Sequence, residues 1–462
     1  MKIKHIIFLI ISFFLVANGY AEKKIRVITI KDFIDISCRE DTAFQQILVE
    51  ELKLKYRKDI DLPAKDLILE IESKYNFLYN PKEEDTENTV SLSKLFPYLG
   101  TDISAEYSSS VATSTRDVTS DVALELSQPI ARNAFGRNTR LLDKIVGIEI
   151  DVARYQIAEA YEDYLAVLIT LYYDWYSAYE NLRTAENSYN ENLKLLENIK
   201  ERHQSKIALP IDVNKITLQV LEKKENVITR RNQYDDYSNQ VKEAMRYKDN
   251  AFEPKEPLLY ADLNIDFEKD YKAFDLFSRT SKVLKLLEDK SSLAVEKEAD
   301  ELLPSINLLL GYVWEGANHT VDLSNKTAYA GMSVEWPFPD QVDRANYETS
   351  KIDFRKTKLS SETTSVRLYT DLKNLNNQMK REEALIIVAG EKIKLAEEIA
   401  KDEKENYSLG RSTLNDLIDE VNKLENNKFN KITHNIQLRK LVVEWLRLSD
   451  SLIKASDVLT SQ

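Results

Sequence analysis

Asp416 and Asp419 are the residues of this chain whose type and spacing come closest to a site. A separation of three puts both carboxylates on one face of a helix. They stand just beyond the turn sequence Leu409-Gly410-Arg411-Ser412. Gathered around an axis in several copies, such a pair makes two rings of carboxylates, which is how cation-selective constrictions are built. The plainer account is that acids in the first turn of a helix are stabilised by its positive N-terminal end. The residues alone leave both open. Gly410 reads as the pivot of the turn, at a positive φ that glycine adopts without steric penalty.

No catalytic chemistry stands beside them. His5, His203, His319 and His434 are scattered and fit no metal-ligand spacing. The single cysteine, Cys38, excludes an intrachain disulfide and has no matched histidine to make it a nucleophile. No Gly-rich phosphate loop occurs, and Asn318-His319-Thr320 reads as a chance sequon. The expectation is a protein that is not an enzyme, with no cofactor and no metal. The net charge of −13 argues against nucleic acid as a partner and is compatible with a pore that favours cations.

The first 21 residues read as a secretory signal. Lys2 and Lys4 begin it, Ile6 to Val16 form its apolar run, and Gly19-Tyr20-Ala21 offers a small-x-small cleavage site. The alternative is an uncleaved anchor, but the run is about half the ~20 residues a spanning helix needs. Cleavage removes two lysines and takes the net charge from −13 to −15. With only 9 glycines and 10 prolines in 462 residues, the composition is that of long helices. Beyond the signal no apolar run is long enough to cross a bilayer as a helix, so any entry into a membrane must be made by strands.

The elements that position Asp416 and Asp419 are written twice. Leu95-Phe96-Pro97-Tyr98 recurs as Leu302-Leu303-Pro304-Ser305, and Gln128-Pro129-Ile130 as Trp336-Pro337-Phe338. Ala208-Leu209-Pro210-Ile211-Asp212-Val213 recurs as Ser412-Thr413-Leu414-Asn415-Asp416-Leu417. The offsets, 207, 208 and 204, agree on one period. In each half a long helical run, about Leu141–Arg202 and Val342–Glu405, turns and returns along Asp212–Tyr247 and Asn415–Ser451. Tyr161, Tyr164, Leu168, Leu171, Trp175, Ala178, Leu182, Ala185 and Tyr189 keep a 3–4 spacing, a heptad seam. Leu368, Leu372, Leu375 and Met379, then Ile386, Ala389, Ile393, Ala396 and Ala400, form its counterpart.

Ahead of each long helix lie two stretches of period 2. Ile103, Ala105 and Tyr107, then Val122, Leu124 and Leu126, alternate with Ser, Asp and Glu; in the second half Leu308, Leu310, Tyr312 and Trp314, then Ala328, Ala330, Met332 and Val334, do the same. One apolar and one polar face fits a half-buried sheet, and equally a barrel with lipid outside and water inside. Four strands cannot close a barrel around a lumen, and lipid forbids open edges. Several copies must therefore pool their strands; three would supply twelve. The expected fold is mainly α with a small β part, with four transmembrane strands per chain and coiled-coil hairpins continuing the wall.

At this point the sequence resembles the TolC-type outer-membrane efflux proteins, the exit ducts of tripartite drug-efflux pumps and of type I secretion systems. The likeness covers about residues 95–450 and is most specific at Tyr407-Ser408-Leu409-Gly410-Arg411-Ser412-Thr413-Leu414-Asn415-Asp416-Leu417-Ile418-Asp419. It implies a homotrimer in the outer membrane that extends into the periplasm, with a 12-stranded β-barrel, a 12-helix α-barrel and an equatorial collar. It implies a periplasmic adaptor protein and an inner-membrane transporter as partners, met at a tip formed by Gly410, Arg411 and Ser412. Asp416 and Asp419 then resemble the pore gate, and Asp212 and Tyr407 the lock that holds it shut. The sequence departs from the pattern at Lys206, where glycine is usual, at Pro210 inside the first turn, and in the N-terminal preamble.

The expected organisation is a signal at 1–21, a preamble with an equatorial part at 22–94, a first repeat at 95–246, a connector at 247–270, a second repeat at 271–451 and a tail at 452–462. A protein-secretion duct is the alternative within the class. A soluble periplasmic coiled-coil scaffold is the alternative outside it.

Overall fold

The computed structural model describes residues 26–79, 82–112, 118–247, 252–257 and 266–453. The expected signal and most of the expected tail lie outside the described residues, as does part of the connector. The chain forms two compact units, one of Met1–Glu40, Leu171–Leu258 and Ala396–Ile432, the other of Asp41–Thr170, Leu259–Leu395 and Thr433–Gln462.

Four helices carry the repeat. Helix α4 (Arg137–Gln204) and helix α8 (Gln341–Ser408) each have 68 residues; α5 (Pro210–Ala244) and α9 (Leu414–Leu448) each have 35. At 1.5 Å per residue the longer pair extends roughly 100 Å. Gly147 and Gly390 are their only glycines and neither contains proline, so nothing in the sequence interrupts them. The predicted seam is inside: Leu168, Trp175, Ala178, Leu182 and Ala185 are buried on α4, and Leu372, Leu375, Met379, Ala389, Ala396 and Ala400 on α8. On α4 burial is wider than one heptad stripe, because Leu165, Ile169, Tyr172 and Tyr173 are buried as well.

In the first unit the preamble accounts for the burial of Tyr172. Strand β1 (Arg26–Ile28) pairs in parallel with β6 (Phe252–Pro254), Arg26 opposite Phe252. Helix α1 (Ile30–Glu40) follows a capping box in which Thr29 Oγ1 accepts from the Asp32 amide at 3.1 Å and Asp32 accepts in return. Tyr172 Oη lies 2.8 Å from the Ile28 carbonyl and 2.7 Å from that of Lys255, tying α4 to both strands. Its ring meets Phe33 at 5.9 Å and Trp175 at 5.8 Å. Burial pushes the Tyr172 hydroxyl well above its usual range. Between α5 and α9, Gln219 donates to Asn422 at 2.7 Å, and Lys223 is ion-paired with the buried Glu425.

The second unit holds the sheet. Its order is β2 (Leu67–Tyr79), β3 (Lys82–Phe96), β4 (Thr101–Ala112), β5 (Val118–Pro129), β7 (Ser305–Ala317) and β8 (Thr320–Glu335), all antiparallel. The four expected strands are β4, β5, β7 and β8. Where four transmembrane strands per chain were expected, the sheet has six strands among the described residues, because 67–79 and 82–96 pair as well. Leu95 and Phe96, read as the start of the first repeat, close β3, and Thr101 opens β4 after a turn. Helices α2 (Thr42–Leu54), α3 (Arg57–Asp61), α6 (Phe267–Phe277) and α7 (Arg279–Glu301) complete the unit.

Register aligns the two faces across the sheet. One row runs Leu69, Leu92, Ala105, Leu124, Tyr312, Ala328, and a row on the other face, three residues along, runs Glu72, Thr89, Ser108, Asp121, Glu315. The apolar face is open: Leu69 is 61% exposed, Ile71 70%, Leu124 43%, Leu310 45% and Met332 64%.

Candidate functional site

The two helical turns of the first unit come together. Ile199 of α4, Ile216 of α5 and Leu414 of α9 form a buried cluster, against which Ala208, Val213, Tyr407 and Ile418 pack. The turns are built alike because their sequences are related by the 204-residue offset. In the first, the Lys206 amide donates to His203 O at 2.8 Å and the Ile207 amide to Arg202 O at 2.8 Å. In the second, the Gly410 amide donates to Tyr407 O at 3.1 Å and the Arg411 amide to Asn406 O at 2.9 Å. Both pivots are left-handed, Lys206 at φ +61° and Gly410 at φ +72°. This is the usual way to satisfy the last carbonyls of a helix, and glycine at that position avoids the Cβ penalty. Lys206 accepts the strain that Gly410 avoids. Pro210, a departure in the sequence, is the first residue of α5, where a missing amide hydrogen is no loss.

Each returning helix opens on an aspartate. Asp212 Oδ2 accepts from the Leu209 amide at 3.1 Å. Asp416 Oδ2 accepts from the Thr413 amide at 3.0 Å and from Thr413 Oγ1 at 2.7 Å, while its own amide donates to Thr413 Oγ1 at 3.3 Å. The two hydrogen bonds from Thr413 hold the Asp416 carboxyl below its usual range. Asp416 is thus a capping acid, and Asp419, one turn on, is exposed. Neither belongs to the buried cluster, and both carboxylates are exposed.

Arg202 and Tyr407 come together across the two turns. The Arg202 guanidinium carbon stands 4.9 Å from the centre of the Tyr407 ring. Burial raises the Tyr407 hydroxyl above its usual range; the Arg202 charge opposes that and the Asp212 charge adds to it. Arg202, which sequence reading missed, therefore links the first turn to the second. The signal available was weak: a basic residue in the last turn of a helix is ordinary. Sequence reading also missed the apolar tip. Ile207 is 66% exposed, Leu209 64% and Leu409 57%, beside the exposed Arg411 and the half-buried Ser412.

A second charged cluster lies in the other unit. Arg279 Nε donates to Glu159 at 2.8 Å, its Nη2 lies 2.5 Å from Glu162, and the Arg279 amide donates to Asp450 at 2.5 Å. Glu162 also accepts from the Ile453 amide at 3.1 Å. These three carboxylates are spaced for a metal, but the guanidinium already occupies the place of the cation. Burial holds the Glu159 and Glu162 carboxyls above their usual range despite Arg279.

With fold and turns in place, the likeness to solved proteins can be read. The outer membrane protein VceC of Vibrio cholerae superposes with a TM-score of 0.69 over 92% of this chain and 95% of its own, at 12% identity. The CmeC outer membrane channel of Campylobacter jejuni gives 0.69 over 92% and 86%, also at 12% identity. The open state of the MtrE outer membrane channel of Neisseria gonorrhoeae gives 0.65 over 92% and 89%, at 13% identity. This chain has the fold of the outer-membrane channels. The resemblance seen in its sequence holds at the level of structure, over about nine-tenths of the chain. No protein-family model matches the sequence, and no curated protein matches it either. Such low identity speaks for the fold alone.

Proposed function

We propose that this chain is one subunit of a trimeric outer-membrane channel that extends into the periplasm and serves as the exit duct of a tripartite efflux pump. The observation that carries the reading is the open apolar face of the sheet. On β7, Ile306 to Trp314 is a stretch of nine residues, within the ~9–11 that a tilted strand needs to span a bilayer. A patch of this size is out of place in water, which a soluble scaffold would require. Aromatic residues fall towards both ends of the band, Tyr75, Phe77 and Trp314 at one and Phe96 and Trp336 at the other, as girdles do. The opposite face, with Glu72, Asp121 and Glu315, suits a water-filled lumen.

The helices support pooling of copies. On α5, Ile211, Leu218, Leu221 and Ile228 are all more than half exposed at a/d spacing, and on α8 Ile352, Leu359 and Val366 repeat every seven residues, equally exposed. These are coiled-coil seams that lack a partner within the chain. Neighbouring subunits would supply it. In the trimer Asp416 and Asp419 would ring the periplasmic mouth as the gate, with Asp212 and Tyr407 as the lock and Arg202 set against the Tyr407 ring. The apolar tip with Gly410, Arg411 and Ser412 would meet the adaptor, and an inner-membrane transporter would drive small molecules through a passive pore. The test is fractionation followed by light scattering of detergent-extracted protein: a trimer from the outer membrane supports the reading, and a monomer sinks it.

A further inference from the structure

The hairpin at 67–96 is not packed over the sheet; it extends it. Strand β2 pairs with β3 from Leu67↔Lys94 to Tyr79↔Lys82, and β3 pairs with β4 from Asp85↔Ala112 to Phe96↔Thr101. We propose that β2 and β3 belong to the barrel wall, so that each subunit supplies six strands and three subunits close a barrel of eighteen, with β2 of one copy paired to β8 of the next. The proposal rests on the trimeric channel reading above and sets its pore size and subunit joint.

Three features favour a second copy of this chain as the occupant of the open edges. Six is even, so β2 and β8 run in opposite directions and the joint between subunits is antiparallel like every other pair in the sheet. Both edge strands, of 13 and 16 residues, exceed the ~9–11 residues that span a bilayer as a tilted strand. Their faces also agree. Leu69 and Ile71 of β2 lie on the same side as Ala328 and Met332 of β8, and Glu70 and Glu72 on the side of Thr327 and Tyr329. A joint at β4 instead would break the twelve pairs that β4 makes with β3. It would also leave the apolar side chains of β2 without lipid or protein to cover them. In lipid, unpaired edges are not tolerated, so the sheet must close at whichever strand is outermost, and that strand is β2.

At equal strand tilt the diameter grows about in proportion to strand number, so eighteen strands make a lumen about 1.5-fold wider than twelve. Glu70, Glu72 and Lys74 would then line it.

The joint can be read by crosslinking in the outer membrane, in a Cys38→Ser background. Glu72→Cys is combined in turn with Asn325→Cys, Thr327→Cys and Tyr329→Cys, all on the lumen side of their strands, and Ser108→Cys of β4 is combined with the same three. The expected result is a reducible covalent link between subunits for at least one β2–β8 pair and for none of the β4–β8 pairs. Links from Ser108 and none from Glu72 overturn the proposal and leave a twelve-stranded barrel. If no pair links, electron cryo-microscopy of the detergent-extracted trimer decides: eighteen strands uphold it and twelve refute it. A monomeric preparation would instead refute the trimeric reading on which it rests.

Discussion

Replacing Arg279 with methionine keeps most of the aliphatic volume of the side chain and removes the cation that bridges Glu159, Glu162 and Asp450. The Glu162 side chain is 0% exposed. After the change it keeps the Ile453 amide at 3.1 Å and loses its counter-charge. Removing one partner of a buried pair destabilises by about 3–5 kcal/mol; Arg279 is 18% exposed, so screening favours the lower end. Unfolding entropy of about 2.1 cal/mol/K per residue gives roughly 1 kcal/mol per degree over a chain of this length, so the melting midpoint should fall by about 3 °C. The pH dependence tests the cause. Because burial raises both glutamate carboxyls, the folded state keeps protons that the unfolded chain releases. That contribution is present below the unfolded values and is lost as pH rises through the folded ones. Without the guanidinium the folded values move further up, so the defect should be largest near neutral pH and should shrink in the carboxylate range. Adding Glu162→Gln should restore most of the loss. Thermal melts by circular dichroism, at one scan rate and at pH 7.5 and 4.5, measure all three variants. A drop that is the same at both pH values, or that Glu162→Gln does not rescue, would show that Arg279 acts through packing alone.

Three further outcomes follow from the turns and the helix contacts. Lys223→Met should destabilise by about 3 kcal/mol by stranding the buried Glu425, while Lys223→Met with Glu425→Leu should be close to neutral; a double variant as unstable to urea as the single one would clear the ion pair of blame. Gly410→Val forces a β-branched residue to φ +72°, at a local strain of about 1–3 kcal/mol, and should abolish efflux while trimer and membrane location survive; unchanged efflux would remove this turn from the docking element. Asp416→Asn with Asp419→Asn should lower cation selectivity and weaken block by a trivalent cation in single-channel recordings, more so in dilute salt than near 1 M, where the Debye length is about 3 Å; unchanged selectivity would make both plain helix-start acids.

The long helices were legible because a 3–4 spacing sustained over dozens of residues has no other reading, whereas the cap that Thr413 and Asp416 form was not read from the sequence. Strands β4, β5, β7 and β8 were legible from period 2. Strands β2 and β3 were not, for two physical reasons. Ser73 breaks the alternation of Leu69, Ile71, Tyr75 and Phe77, and the acidic run after Lys82 has the composition of a loop. What makes that run a strand is its partner: Asn88 lies opposite Ser73 and accepts a hydrogen bond from it at 2.7 Å. Pairing between distant segments also hid Glu162, whose charge reads as solvent-exposed until Arg279 is placed beside it. At the turns, Lys206 looked like a departure from a glycine rule, yet it holds the same left-handed backbone as Gly410. The gate and lock roles proposed for Asp416, Asp419, Asp212 and Tyr407 rest on the resemblance. The contact that joins the two turns, Arg202 on Tyr407, becomes visible only when both hairpins are folded.

The most direct test of the whole account is a planar-bilayer recording of protein extracted from the outer membrane. A pore lined by the polar face of the sheet and by acidic rings predicts discrete, long-lived conductance steps with a preference for cations, from a trimeric preparation. A protein that fractionates with the soluble periplasmic contents, and that produces no steps when added to the bilayer, would contradict it.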